Sequence, residues 1–107
     1  LGERTFNFSK VLIKFLKSLP KEALDQTLII QAIRAGTSIG ANYREADGSE
    51  SKKDFIHKIM ICKKEAKETL YWLGLIQEGL GVDNVDLDWL IKECRELVRI
   101  FGKISVS

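Results

Sequence analysis

Apolar residues return along this chain at intervals of three and four, in four runs separated by short polar breaks. Phe8, Leu12, Phe15 and Leu19 recur at helical spacing and predict a first helix over about residues 4–18. Leu19-Pro20 breaks it, because proline disfavours helical geometry in the residue before it. Pro20 can open a second helix, about 21–46, with Glu22 and Asp25 suited to the positive end of its dipole. The seam of that helix reads Leu28, Ala32, Ala35, Ile39, Asn42 and Ala46. Ile29, Ile30 and Ile33 lie off the seam, so the apolar surface is wider than one partner helix requires. Asp47-Gly48 ends the run, and Ser51-Lys-Lys-Asp54 resembles a capping box. A third helix, about 52–78, then keeps Phe55, Ile59, Cys62, Ala66, Leu70, Leu73 and Ile76 on one face, a stripe roughly 33 Å long. Gly79-Leu80-Gly81 stops it, and Asp83, Asn84 or Asp86 can cap the last helix, about 85–103. There Leu87, Leu90, Cys94, Leu97, Phe101 and Ile104 repeat at alternating steps of three and four, which favours shallow, coiled-coil-like crossing. Four helices joined by short turns predict an all-α protein, a single up-down-up-down antiparallel four-helix bundle over residues 1–107.

The middle of the second helix is unusual. Arg34-Ala-Gly-Thr-Ser-Ile-Gly-Ala-Asn42 carries two glycines, a threonine, a serine and an asparagine, all weak helix formers. Small residues admit a neighbouring backbone, and Ser38 and Asn42, four apart, share a face. The stretch is expected to be the packing seam of a helical hairpin, with Ser38 and Asn42 beside the neighbouring helix.

Pivoting the second and third helices about Gly48–Ser49 sets Arg34 beside Glu65 or Glu68, and Asn42 beside Lys58 or Phe55. Pivoting the third and fourth about Gly81–Val82 sets Glu65 opposite Arg99, and Glu68 opposite Arg95 or Glu96. The expectation is a polar network of Arg34, Ser38, Asn42, Glu45, Lys58, Glu65, Glu68, Arg95 and Arg99 that fixes register more than it stabilises.

Composition adds limits. The chain has 107 residues, 45% hydrophobic and 30% charged, which suits one domain. Its net charge of +2 does not demand a polyanionic partner. No stretch approaches the roughly 20 apolar residues that cross a bilayer. No secretory signal is visible at the start, so reduced thiols and a cytoplasmic location are expected, with no membrane partner.

Chemistry is scarce. One histidine cannot furnish a di-iron site, which needs a Glu-x-x-His from each of two helices. His57 reads as a surface residue, and Asp54 three residues before it as a cap. Cys62 and Cys94 occupy core positions roughly 12 Å apart along the axis, beyond disulfide reach. Gly36 and Gly40 sit inside a helix, so they form no phosphate loop. No catalytic residue, metal site or cofactor is expected. Two lysine faces remain: Lys10, Lys14 and Lys17 on the first helix, and Lys53, Lys64 and Lys67 with His57 on the third, flanked by Lys52 and Lys63. Together they can form a phosphate-tracking surface, although solvated lysine faces are common. The adjacent Tyr71 and Trp72 point about 100° apart, one towards the core edge and one outward. With Ile29, Ile30 and Ile33, they suggest more apolar area than a monomer hides, hence a homo-oligomer.

Three stretches carry a family resemblance: Arg34-Ala-x-x-Ser38-Ile39-x-Ala41-Asn42-Tyr43-x-Glu45-Ala46, Ser51-x-x-Asp54-Phe55-Ile56-x-Lys58, and Lys64-Glu65-Ala66-x-Glu68-Thr69-x-Tyr71-Trp72-Leu73. They resemble the small bacterial four-helix-bundle proteins encoded within 23S rRNA intervening sequences. The resemblance runs from about Phe8 to Phe101. It implies a left-handed up-down bundle assembled as a ring-shaped homopentamer, related to the accessory variability determinant of diversity-generating retroelements. It attaches no enzymatic activity and suggests association with RNA. The expected function is therefore a non-enzymatic bundle that binds structured RNA, including rRNA, through lysine faces. The rival is a protein-interaction scaffold docking a partner polypeptide.

Overall fold

The computed structural model describes residues 1–106; the side chains of Ala23 and Leu24 lie outside that description. Among the described residues there are four helices and no strand: α1 (Gly2–Lys17), α2 (Ala23–Asp47), α3 (Lys52–Gly79) and α4 (Val85–Ser105). Each packs on its neighbours in chain order and α4 closes back on α1, while α1 and α3, like α2 and α4, stand diagonally across a bundle of 45 × 20 × 19 Å. The expected all-α, up-down-up-down four-helix bundle is the fold.

Helix ends follow local chemistry. Ser51 Oγ accepts from the backbone N–H of Asp54 at 3.1 Å and starts α3. Of the three candidate caps for α4, Asn84 serves: its side-chain oxygen accepts from the N–H groups of Asp86 and Leu87 at 2.8 and 3.2 Å. Gly81, at φ +67°, makes the turn between α3 and α4. α1 begins two residues earlier than expected, since the N–H of Thr5 already donates to Leu1 O at 2.9 Å. α2 begins two residues later, because Glu22 is extended (φ −81°, ψ 155°) and acts as its N-cap residue.

Phe8, Leu12, Phe15, Leu19, Ile59, Leu73, Ile76, Leu87, Leu90, Leu97 and Phe101 fill the core. α2 contributes the thin wall, Ala32, Ala35, Ile39 and Ala46. Two core assignments on α3 differ: Phe55 and Leu70 are only partly covered, whereas Thr69 is fully buried. The hydroxyl of Thr69 donates to Glu65 O at 2.7 Å, so its polar atom is satisfied inside the helix and its methyl faces the core.

The glycines of α2 mark the close approach, and the helix leaning on them is α1. A Cβ on Gly36 would stand 2.1 Å from Leu12 Cδ2, and one on Gly40 would stand 3.3 Å from Thr5 Oγ1 and 3.6 Å from its backbone carbon. The Cβ of Gly36 would also meet Thr69 of α3 at 3.6 Å, so this point is shared by three helices. Ser38 and Asn42 do not bridge to a neighbour as expected. Ser38 Oγ donates to Arg34 O at 2.7 Å and Asn42 Nδ2 donates to Ser38 O at 2.8 Å, both within α2. Short side chains reach their own backbone carbonyls more easily than another helix.

Arg34 pairs across to α3, with Glu68 and, at 3.5 Å, with Glu65. Lys58 donates to Glu45 at 2.8 Å. The expected extension to α4 fails: Arg99 pairs with Glu96 at 2.7 Å within its own helix, and Arg95 joins no ion pair among the described residues. Both carboxylates of α3 lie on its α2 side with Arg34, out of reach of the outer face of α4. The first and last helices are joined instead by Arg4, which grips Glu93 through two hydrogen bonds of 2.7 and 2.9 Å.

Both cysteines are free and buried. Their thiols donate to backbone carbonyls, Cys62 to Ile39 O at 3.6 Å and Cys94 to Ala66 O at 3.1 Å. Burial pushes the Cys62 thiol up to about 11 and that of Cys94 up to about 12.

Two predictions follow from this packing. Gly36→Val should cost about 1–3 kcal/mol by overpacking against Leu12, whereas Gly74→Ala, with open space around it, should gain about 0.5–1 kcal/mol from helix propensity; urea unfolding measures both. An unfolded thiol ionises from about pH 8.5, whereas the folded ones hold their protons to about 11 and 12. Stability from this source is thus complete below about pH 8.5 and falls above it, by up to about 1.4 kcal/mol per pH unit for each thiol. The Cys62→Ala/Cys94→Ala protein, though less stable at neutral pH, should decline less steeply across that window.

Candidate nucleic-acid interface

The outer face of α3 follows from its periodicity. With Ile59, Cys62, Ala66, Thr69 and Leu73 buried, Lys53, His57, Met60, Lys64, Lys67 and Tyr71 fall on the opposite side, and all six are exposed. Four-residue spacing could have neutralised Lys64 with Glu68, but Glu68 is drawn to Arg34 on the α2 side and also accepts from Trp72 Nε1 at 3.3 Å. Lys58 leaves this face for Glu45, which with the hydrogen bond and the nearby charge raises its pKa above the ordinary lysine value. Lys53, Lys64 and Lys67 form no ion pair among the described residues.

Lys63 lies beside them on the flank towards α4. A Cβ at position 102 would stand 3.7 Å from its Cε and Nζ, in ordinary contact, so the lysine stem lies along α4. Met60, Lys63, Lys64, Lys67 and Ser105 line one shallow groove between the two helices. Three ammonium groups beside an exposed methionine give positive charge with an apolar floor, a surface that can take phosphates in more than one register. Lys52 is exposed at the opening of α3, with Lys53 lining a separate hollow formed by Glu50, Ser51, Asp54 and His57.

Lys10, Lys14 and Lys17 are exposed on α1, and Lys10 Nζ stands 5.9 Å from the ring centre of Phe6. Because α1 and α3 are diagonal, one chain does not merge the two lysine stripes into a single surface. The sequence supplied the stripes but not their separation, which depends on how the helices are ordered around the square. It also missed the α3–α4 groove, which depends on how those two helices are set side by side.

Tyr71 and Trp72 divide as expected. Trp72 packs on the core edge while Tyr71 stays exposed, the rings meeting edge to face at 5.2 Å. Among the described residues no group of three His, Cys, Asp or Glu is placed to hold a metal ion, and no helix is long and apolar enough to cross a membrane.

Comparison with known proteins agrees with the fold. The sequence pattern of the 23S rRNA-intervening sequence proteins matches residues 2–103. A crystal structure of a protein of unknown function from the S23 ribosomal protein family, from Bacteroides thetaiotaomicron, superposes with a TM-score of 0.89 at 31% identity, covering 99% of this chain and 98% of that one. No curated protein matches the chain. With the four-helix bundle, the glycine-bearing α2 and the match over nearly its whole length, this chain belongs to the 23S rRNA-intervening sequence protein family.

Proposed function

We propose that this protein is a non-enzymatic, RNA-associated bundle that works in the cytoplasm as a ring-shaped homo-oligomer, its lysine faces holding structured RNA, with rRNA the leading substrate. The observation that carries the reading is the outer face of α3, where Lys53, Lys64 and Lys67 form no ion pair among the described residues and Lys63 extends the charge towards α4. A family named for 23S rRNA intervening sequences supplies the substrate class. Contacts of this kind go to phosphates, so recognition rests on shape and charge, and sequence selectivity is weak. The small net charge of +2 keeps affinity modest for one chain; repeating the face around a ring multiplies it.

The binding experiment is a salt titration with a structured rRNA fragment, followed by fluorescence anisotropy. Affinity should fall steeply between about 50 and 200 mM salt as condensed counterions are released. The triple variant Lys53→Glu/Lys64→Glu/Lys67→Glu should lose binding at every salt concentration while keeping its helical circular dichroism. Absence of binding by the unaltered protein at low salt would overturn the RNA reading.

A further inference from the structure

Two surfaces outside the α3 lysine face are left unexplained, and their chemistry is opposite. The first is the groove between α1 and α2. Ile13, Ile29 and Ile33 form its floor at one end, beside Lys17 and Lys21, and Thr37 continues it to a second stretch lined by Phe6 and Ala41. Ile13 is 44% exposed and Phe6 is 56% exposed. Between Lys10 and Lys21 the chain carries four lysines and no acid, and none of the four forms an ion pair among the described residues.

The second surface is the corner where α3 turns into α4. Between Glu78 and Asp88 the chain carries four acids, Glu78, Asp83, Asp86 and Asp88, and no base. Val85, the first residue of α4, is 81% exposed, and Trp89 one turn later is also exposed. The corner is thus a small apolar knob ringed by carboxylates. The groove is an apolar trough with a basic rim.

Their placement matters as much as their charge. α1 and α2 form one side of the square bundle, and α3 and α4 the opposite side. In an up-down-up-down bundle the α1–α2 and α3–α4 turns lie at the same end, and the Arg4–Glu93 and Phe8–Trp89 contacts set Val85 level with Ile13 and Asp83 within a turn of Lys17. Two copies standing parallel can therefore bring the corner of one against the groove of the next without sliding along the axis. A head-to-tail contact of this kind, made without axial rise, is what a closed ring requires.

We infer that the α1–α2 groove is the docking site for a second copy of this chain, whose acidic α3–α4 corner seats Val85 on the isoleucine floor and sets its carboxylates against Lys17 and Lys21. This deepens the oligomeric part of the proposed function and rests on it. It gives the two lysine stripes separate roles: Lys17 of α1 holds the neighbouring copy, and the outermost row of α3, Lys53, His57 and Lys64, is left to the RNA. The charged rim makes assembly weaken with salt, while the apolar floor keeps part of it at high salt.

The test uses Ile13→Asp, which blocks the groove, and Val85→Asp, which blocks the corner. Both positions are exposed, and circular dichroism verifies that each variant keeps its helices. By light scattering the unaltered protein should run as an oligomer, and each variant alone should fall to the mass of one chain, 12.1 kDa. Mixed in equal amounts, the two variants retain one good groove and one good corner between them. They should form a pair of twice that mass and go no further. Oligomers that survive both substitutions would overturn this interface while leaving the oligomeric reading intact, as would single-chain variants that fail to pair on mixing. An unaltered protein that runs as one chain would overturn both.

Discussion

Where α1 leans on α2, two side chains are missing. Leu12 occupies the space a Cβ on Gly36 would need, and Thr5 brings its backbone to within 3.6 Å of the place a Cβ on Gly40 would take. The cost of two glycines inside a helix is entropic and is set against dispersion contacts that only a close approach provides. Because Thr69 of α3 also faces Gly36, the thin wall of α2 sets the spacing of three helices at once. The rest of α2 agrees with it: Ala32, Ala35 and Ala46 are buried, and the bulk of the core comes from the phenylalanines and leucines of the other helices.

The polar contacts sit around that apolar centre and choose among registers it would tolerate. Arg34 reaches across to Glu65 and Glu68, and Lys58 reaches back to Glu45, so α2 and α3 are tied at two levels. The tie at Glu65 is incomplete. Its Oε2 is buried without a hydrogen bond, and Arg34 Nη1 stands 3.5 Å away. A carboxylate held in this way contributes little net stability, but any other register would leave it with no cation at all, which costs far more. Arg4 and Glu93 do the same for α1 and α4, with two short hydrogen bonds and a half-exposed arginine.

What the sequence made legible was local. Spacing located four helices, two of their caps and nearly every core position, because burial of a stripe is decided by period alone. The pairing of Arg34 with Glu65 and Glu68 was legible too, since a short turn fixes the register of consecutive helices. Arg4 and Glu93 were not, because 89 positions separate them and no turn relates α1 to α4. Arg99 was misplaced for a different reason: pivoting about a turn gives height along the axis but not azimuth, and Glu65 is level with it on the far side of α3. The small residues of α2 announced a close contact correctly. They could not say which helix made it, because a glycine marks an absence and carries no information about the neighbour that fills it.

The same limit governs the lysines. A stripe of three on α1 and another on α3 look additive in one dimension, yet diagonal helices turn their outer faces away from each other. One chain therefore presents two separate basic patches instead of one broad surface, and with a net charge of +2 neither patch is reinforced by the whole. Any strong interaction with a polyanion must gather like patches from several chains, and whatever holds the chains together must do so without covering α3. The apolar groove of α1 and α2 meets the first demand, since its basic rim is matched by the acidic corner of a second copy, and the second holds for the outer row of Lys53, His57 and Lys64, which points away from the bundle axis.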